Sequence, residues 1–258
     1  MAIYNTKKVL ITVKTYPLPS KKTIEASCTA GITENGKWIR LFPLPFRYLE
    51  YEKQFKKYQW IEASVTKASD PRPESYKVAL DSIRLVGEPL RTSNNWQARK
   101  DIILPLASPS LCYLQRTRAE TEVTLGIFKP RIIRELIIES EEYSHWTENE
   151  LEILSQQSMF DRKPAKPLEK IPLRFTYSFF CNDLQCTGHK LSVTDWEIGE
   201  AYRKWRQYYG NNWESYFRQK FEDEVIYSFD TYFYVGTTRA HPDVWIIIGL
   251  FYPHTEVS

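Results

Sequence analysis

Two thiols and an imidazole stand close together in the run Cys181-Asn-Asp-Leu-Gln-Cys186-Thr-Gly-His189 of this 258-residue chain. Thiolate sulfur and imidazole nitrogen are what zinc takes in tetrahedral sites, and Gly188 permits a tight turn ahead of the histidine. The run supplies three ligands. Cys28, Cys112, His241 and Asp183 are candidates for a fourth, and a water molecule would also complete the tetrahedron. A fourth protein ligand makes the metal structural, whereas water in an open position makes it available for catalysis. Because the run joins a strand to a helix, as zinc knuckles do, the expectation is a structural zinc held by Cys181, Cys186 and His189. The competing reading is a pair of reduced thiols in a turn.

A second kind of chemistry is written into Lys37-Trp38-Ile39-Arg40-Leu41-Phe42. Period-two alternation puts Ile39 and Leu41 on one face and Trp38, Arg40 and Phe42 on the other. Two rings with a guanidinium between them are the makings of a base-stacking platform with a phosphate or base-edge contact. Arg47, Lys53, Lys56 and Lys57 follow, interleaved with Phe46, Tyr48, Tyr51, Phe55 and Tyr58. The alternative is a sheet covered on both sides, with buried rings and solvated lysine stems. In Ser69-Asp70-Pro71-Arg72-Pro73-Glu74-Ser75 two prolines fix the backbone around Arg72, which suits recognition of a phosphate, a carboxylate or a base edge. Asp70 and Glu74 could instead hold a divalent ion, which would be nuclease chemistry, or could pair with Arg72.

Thr194-Asp195-Trp196-Glu197 places two carboxylates two residues apart, but Thr194 and Glu197 have the spacing of a capping box, and helix initiation accounts for the motif. The chain has no glycine-rich phosphate loop, no G-x-S-x-G elbow, no H-E-x-x-H and no paired C-x-x-C. Four histidines leave few ways to assemble a histidine-based hydrolase. The sequence leans away from an enzyme.

The elements that would carry these groups follow from pattern. Val9 to Lys14, Ile24 to Ile32, Lys37 to Phe42, Tyr58 to Lys67 and Ser82 to Val86 read as strands, with Glu34-Asn35-Gly36 as a hairpin turn, and so predict a small β-barrel or a curved sheet. Pro43 to Lys57 is too long for a hairpin and is expected across its outside. A helix is predicted from Ser93 to before Pro105 and a second after Pro109. Residues 121–139 read as two strands broken at Lys129-Pro130, and a capping box at Thr147 and Glu150 opens a further helix. Asp161 to Pro172, with three prolines and four basic residues, is the best linker. Beyond it come a strand, the cysteine-histidine turn, two helices and a closing hairpin. Ile198, Tyr202, Trp205 and Tyr209 form one helical stripe, and Trp213, Tyr216, Phe217 and Phe221 a similar one. The fold class is α+β, divided into a basic β-barrel-like domain (1–90), a connecting region (91–160), the linker (161–172) and an α+β part with the zinc knuckle (173–258).

Composition sets the outer limits. An aromatic fraction of 15% excludes a disordered chain. The longest apolar run, Val244 to Pro253, is about half of the roughly 20 residues that a membrane helix needs. The N-terminus shows no small-residue cleavage site, so a cytoplasmic protein is expected. The net charge of +3 divides unevenly: residues 1–100 hold 18 Lys+Arg against 9 Asp+Glu, and residues 101–258 hold 17 against 23. A basic half points toward a polyanion, unless the two halves face each other.

The blocks KTYPLPSKKTIEASCTAGI, GKWIRLFPLPFR, DPRPES, CNDLQCTGH, DWEIGEAYR and VWIIIGLFYP cover much of the chain. Together they resemble a family of uncharacterised prokaryotic proteins from mobile-element and genome-defence neighbourhoods. The resemblance implies a nucleic-acid context and a zinc knuckle at Cys181, Cys186 and His189, and it supplies no catalytic residue. The basic β half is also similar to small barrels that read modified or single-stranded nucleotides. The expectation is a nucleic-acid-binding accessory or recognition subunit, acting on DNA or RNA, with Trp38, Arg40, Phe42, Arg47, Lys56, Lys57 and Arg72 as contacts and a protein partner in a complex. The alternatives are a metal-dependent nuclease or related phosphodiester enzyme using Asp70 and Glu74, and a protein-interaction scaffold.

Overall fold

Alternating patterns at the start of the chain produce strands, as predicted. The computed structural model describes residues 3–156 and 166–255. The chain opens with β1 (Asn5–Lys14), β2 (Leu18–Ser20), β3 (Ile24–Thr33), β4 (Trp38–Leu44), β5 (Trp60–Lys67), β6 (Ser75–Val78) and β7 (Arg84–Val86). Strands β1, β3, β4, β6 and β5 pair in that order, and β5 pairs back onto β1, so five strands close into a barrel. The β4–β6 step is parallel. Closure leaves those five strands without open edges. Val9, Ile39, Leu41, Ile61, Ala63 and Val65 are all buried in this barrel. At Gly31, β3 runs so close to β1 that a Cβ there would lie 2.3 Å from the Leu10 carbonyl oxygen, which explains the residue.

The connection after β4 makes two short 3₁₀ turns, and its Phe46, Leu49 and Phe55 are buried. Two strands of this part of the chain escaped the sequence reading. The three residues of β2 are too few for a period to show, and β6 is only Ser-Tyr-Lys-Val. The expected strand at Ser82 starts later, because residues 80–82 form a 3₁₀ turn.

The chain continues through α1 (Ser93–Ile103), β8 (Ala107–Ser108), α2 (Leu111–Thr121), β9 (Leu125–Phe128) and β10 (Ile132–Ser140), then α3 (Glu148–Ser155). It closes with β11 (Leu173–Phe180), β12 (His189–Ser192), α4 (Trp196–Tyr209), α5 (Trp213–Arg218), a π-helical extension (Gln219–Ser228), β13 (Tyr232–Thr237) and β14 (Trp245–Phe251). Strands β9 and β10 are the pair expected on either side of Lys129-Pro130. Contacts divide the chain into two units, residues 1–89 with 140–172 and residues 90–139 with 173–258. The expected connecting region 91–160 is thereby shared between the units. Of the expected linker, residues 161–165 lie outside the described residues.

Discontinuity changes the charge argument. The first unit holds 19 Lys+Arg and 16 Asp+Glu, and the second 16 of each. The contrast across residue 100 therefore belongs to the sequence; in the fold the acidic stretch containing α3 joins the basic strands and packs on β2 and β3. Among the described residues no helix is long and apolar enough to cross a membrane.

In the second unit β14, β13, β9 and β8 form one sheet and β10, β11 and β12 another. Phe128, Tyr177, Phe179 and Phe233 pack ring to ring. Phe175 stacks on Phe217 at 4.8 Å between centroids, and Tyr202, Trp205, Trp213 and Phe221 surround that pair. The α4 stripe is buried at Ile198 and Tyr202, whereas Tyr209 stacks on the exposed Tyr216. Tyr216 thus leaves the predicted α5 stripe, which runs as Trp213, Phe217 and Phe221 at steps of four.

Candidate metal centre

The strand β11 ends at Phe180, and the next residue is Cys181, buried beneath the turn. Asp183 shapes that turn: its carboxylate accepts from the Gln185 N–H at 3.0 Å and its carbonyl from the Cys186 N–H at 3.1 Å. Gly188 has φ of +99°, where a side chain is strained, and a Cβ there would also meet the Phe180 ring at 3.2 Å. The chain can then re-enter the sheet as β12, whose first residue, His189, lies opposite Phe179. The turn brings Cys181, Cys186 and His189 together, as the sequence suggested.

The fourth residue of the cluster is Cys112. It sits in the first turn of α2, which Ser110 caps by accepting from the Tyr113 N–H at 2.9 Å. Arg116, one helical turn on, forms an ion pair with Asp183 at 2.7 Å and ties α2 to the cysteine turn. Cys112 Sγ lies 3.1 Å from His189 Nε2, and the ligand atoms of all four residues fall within 4.8 Å of one another. Zinc bonded to sulfur at about 2.3 Å and nitrogen at about 2.0 Å needs tetrahedral ligand atoms about 3.5–3.8 Å apart, so these side chains would shift by up to about 1 Å to hold it. Three thiols and one imidazole match a soft, tetrahedral ion. Of the other candidates, Asp183 is engaged by Arg116, His241 is exposed in the β13–β14 loop, and Cys28 lies on β3 of the first unit.

The electrostatics of the cluster fit a ligand set. Burial pushes the Cys112 thiol up to about 12, reinforced by the neighbouring Cys181 and Cys186. Burial also raises Cys181. Burial works against ionising Cys186, but the backbone N–H groups of Cys181 and Gly188 outweigh it and lower that thiol. His189 is lowered by burial, with Asp183 opposing, so the imidazole stays neutral and keeps a lone pair for a metal. A bound dication reverses the cost for the thiols, because coordination deprotonates them.

The other predicted residues lie in the first unit. Arg40 is only 2% exposed, a correction to the outward platform: its side chain reaches Ser75 Oγ at 3.2 Å and Glu74 at 3.7 Å. Strand alternation does separate Arg40 from Ile39 and Leu41, but both faces of β4 are covered at this point. Arg72 is also buried, held by the Asp70 carboxylate at 2.6 and 2.8 Å. Arg47 pairs with the buried Glu25 at 3.2 Å and donates to the Lys166 carbonyl. Trp38 and Lys57 are half-buried, while Phe42 (43%) and Lys56 are exposed. Asp70 and Glu74 are thus the partners of two arginines. Among the described residues the Cys112 group is the one cluster of three or more acidic, cysteine or histidine side chains arranged for a metal.

A cation–aromatic group on the barrel was not foreseen. Lys67 lies opposite Tyr76 in the β5–β6 pair, with Nζ 4.8 Å from the ring centroid, and Lys7 Nζ reaches the same ring at 5.6 Å. Lys8 covers Trp60 at 5.4 Å. Lys7, Lys67 and Tyr76 come from three strands, and nothing in local spacing brings them together.

The chain belongs to the family described as a domain of unknown function, DUF8757, which matches residues 107–258 and so contains all four cluster residues. Residues 5–105 match a second domain of unknown function, DUF8758, which contains the barrel. No curated protein matches the sequence.

Proposed function

We propose that the protein is a non-catalytic nucleic-acid-binding protein whose second unit is stapled by a structural zinc ion. The carrying observation for binding is the pair of ammonium groups around Tyr76 on the barrel. Lysines set beside rings supply cations that track phosphates and faces on which bases stack, the combination single-strand grooves use. Phe42, Lys56 and Lys77 are also exposed in the first unit. Arg40 and Arg72 are buried partners of Glu74 and Asp70 and are not among the contacts. The resemblance to proteins of genome-defence and mobile-element neighbourhoods favours a recognition role in such a system.

Zinc is favoured as the metal by the three-thiol, one-imidazole donor set, and a structural role by the presence of four protein ligands. The ion would hold α2 to the β11–β12 turn. When bound it supplies charge and geometry, and the four side chains leave no position for substrate.

Labelled single-stranded DNA and RNA, titrated at increasing salt, test the binding claim. Affinity should fall linearly on logarithmic axes, and Lys7→Glu with Lys67→Glu should flatten the slope by about one unit per lost phosphate contact. Binding absent at low salt, or insensitive to both substitutions, would overturn it.

A further inference from the structure

The second unit carries three tyrosine rings that its core does not use. On the last turn of α4, Tyr208 is 81% exposed, and on α5 Tyr216 is 45% exposed. Tyr209 joins them: its ring stacks on Tyr216 at 3.8 Å between centroids and meets Tyr208 edge-on at 4.8 Å. The three rings form one continuous patch. Single exposed aromatics are ordinary, but rings joined on the surface mark a place of contact.

The corner between the two helices is held in place. Gly210 turns the chain with φ of +56°, and Arg206 closes the end of α4 by donating to the Gly210 carbonyl at 3.1 Å and to Asn211 Oδ1 at 3.0 Å. On the buried side Tyr202 meets Trp213 edge-on at 4.8 Å, and Trp213 in turn packs on Phe217. Two anchored helices thus present the exposed rings, which limits the ordering cost of binding. Charge narrows the partner. Lys204, one turn before Tyr208, and Arg206 are exposed, and among the described residues neither forms an ion pair with a carboxylate. Arg203 is tied to Glu200 at 2.7 Å, and the Glu214 carboxylate, two residues before Tyr216, to Arg218 at 2.9 Å. The exposed neighbours Gln207, Asn211 and Ser215 are polar, whereas a protein interface sets its aromatic anchors in an apolar core.

From this combination we infer that the tyrosine corner is a stacking platform for a single-stranded nucleic acid, a contact in addition to the barrel lysines. The inference rests on the nucleic-acid reading above and adds a face to it. Tyr208 and the face of Tyr216 turned away from Tyr209 stack on bases, and Lys204 and Arg206 meet phosphates. A duplex keeps its base faces inside its own stack, so the rings select a single strand.

The test is fluorescence anisotropy of the full chain with labelled oligouridine, oligothymidine and a DNA duplex at several salt concentrations. Tyr208→Ala and Tyr216→Ala should each weaken single-strand binding about fivefold or more. The salt slope should stay unchanged in both, because stacking releases no counterion. Tyr208→Phe, which keeps the ring, should bind as wild type does. Lys204→Glu should lower the slope by about one, and duplex affinity should not respond to the tyrosine variants. Tyr208 is exposed, so its variants keep the test valid should Tyr216→Ala disturb the corner. Weaker binding in the tyrosine variants, with the Lys7 and Lys67 substitutions silent, upholds this face and moves the strand off the barrel. Wild-type affinity in Tyr208→Ala, alongside loss in the Lys7 and Lys67 variants, overturns the inference and leaves the barrel reading standing. A dimer in sedimentation that Tyr208→Ala dissociates, with strand affinity unchanged, assigns the face to a second copy and overturns it too. No binding by wild type at low salt overturns both.

Discussion

At the residue scale, the side chains that looked most available for recognition are those the fold consumes. Arg40 and Arg72 each neutralise a carboxylate in or beside the barrel, and the Asp70 carboxyl is brought down from 3.8 to about 2, chiefly by hydrogen bonds from Arg72. A depressed carboxylate stabilises the fold above its unfolded pKa and loses that contribution as pH falls through the folded value. Asp70→Asn should therefore cost about 2 kcal/mol at pH 7, and denaturant midpoints should converge with wild type between about pH 4 and pH 2. An equal difference at both ends of that range would place the effect elsewhere. Arg40 was legible as a distinct position, since alternation separates it from Ile39 and Leu41. That a cover lay over its face was not, because the covering residues Glu74 and Ser75 are 34 and 35 positions away.

At the element scale, local rules carried well where a single segment decides its own structure. The Thr147–Glu150 capping box forms as read. At α4 the cap is Asp195 instead of Thr194: Asp195 accepts from the Glu197 N–H at 2.7 Å and also from Leu250, while Thr194 turns to the Ile247 carbonyl. The competing partner came from β14, invisible to a local rule. The π-helical extension after α5 also has a long-range tie, in which the buried Tyr177 hydroxyl donates to the Phe221 carbonyl. Tyr177→Phe should lower stability by about 1 kcal/mol by removing that buried hydrogen bond. Unchanged thermal unfolding would show that the extension does not depend on this bond.

At the scale of the whole molecule, a chain that leaves its first unit and returns to it mixes charges that the sequence keeps apart. The barrel class was readable from strand spacing and turn chemistry, and three of the four cluster ligands from a nine-residue run. The fourth, Cys112, lies 77 positions from His189, and only the packing of α2 against the turn selects it from among the candidates. If these four side chains hold a zinc ion, as proposed, the second unit depends on it. Native mass spectrometry with metal analysis of freshly purified, unchelated protein is the most direct test. The four-ligand arrangement predicts about one zinc per chain, lost in Cys112→Ala as fully as in Cys181→Ala and accompanied by lower thermal stability. Metal-free wild-type protein, or a Cys112→Ala variant that retains its zinc, would contradict it.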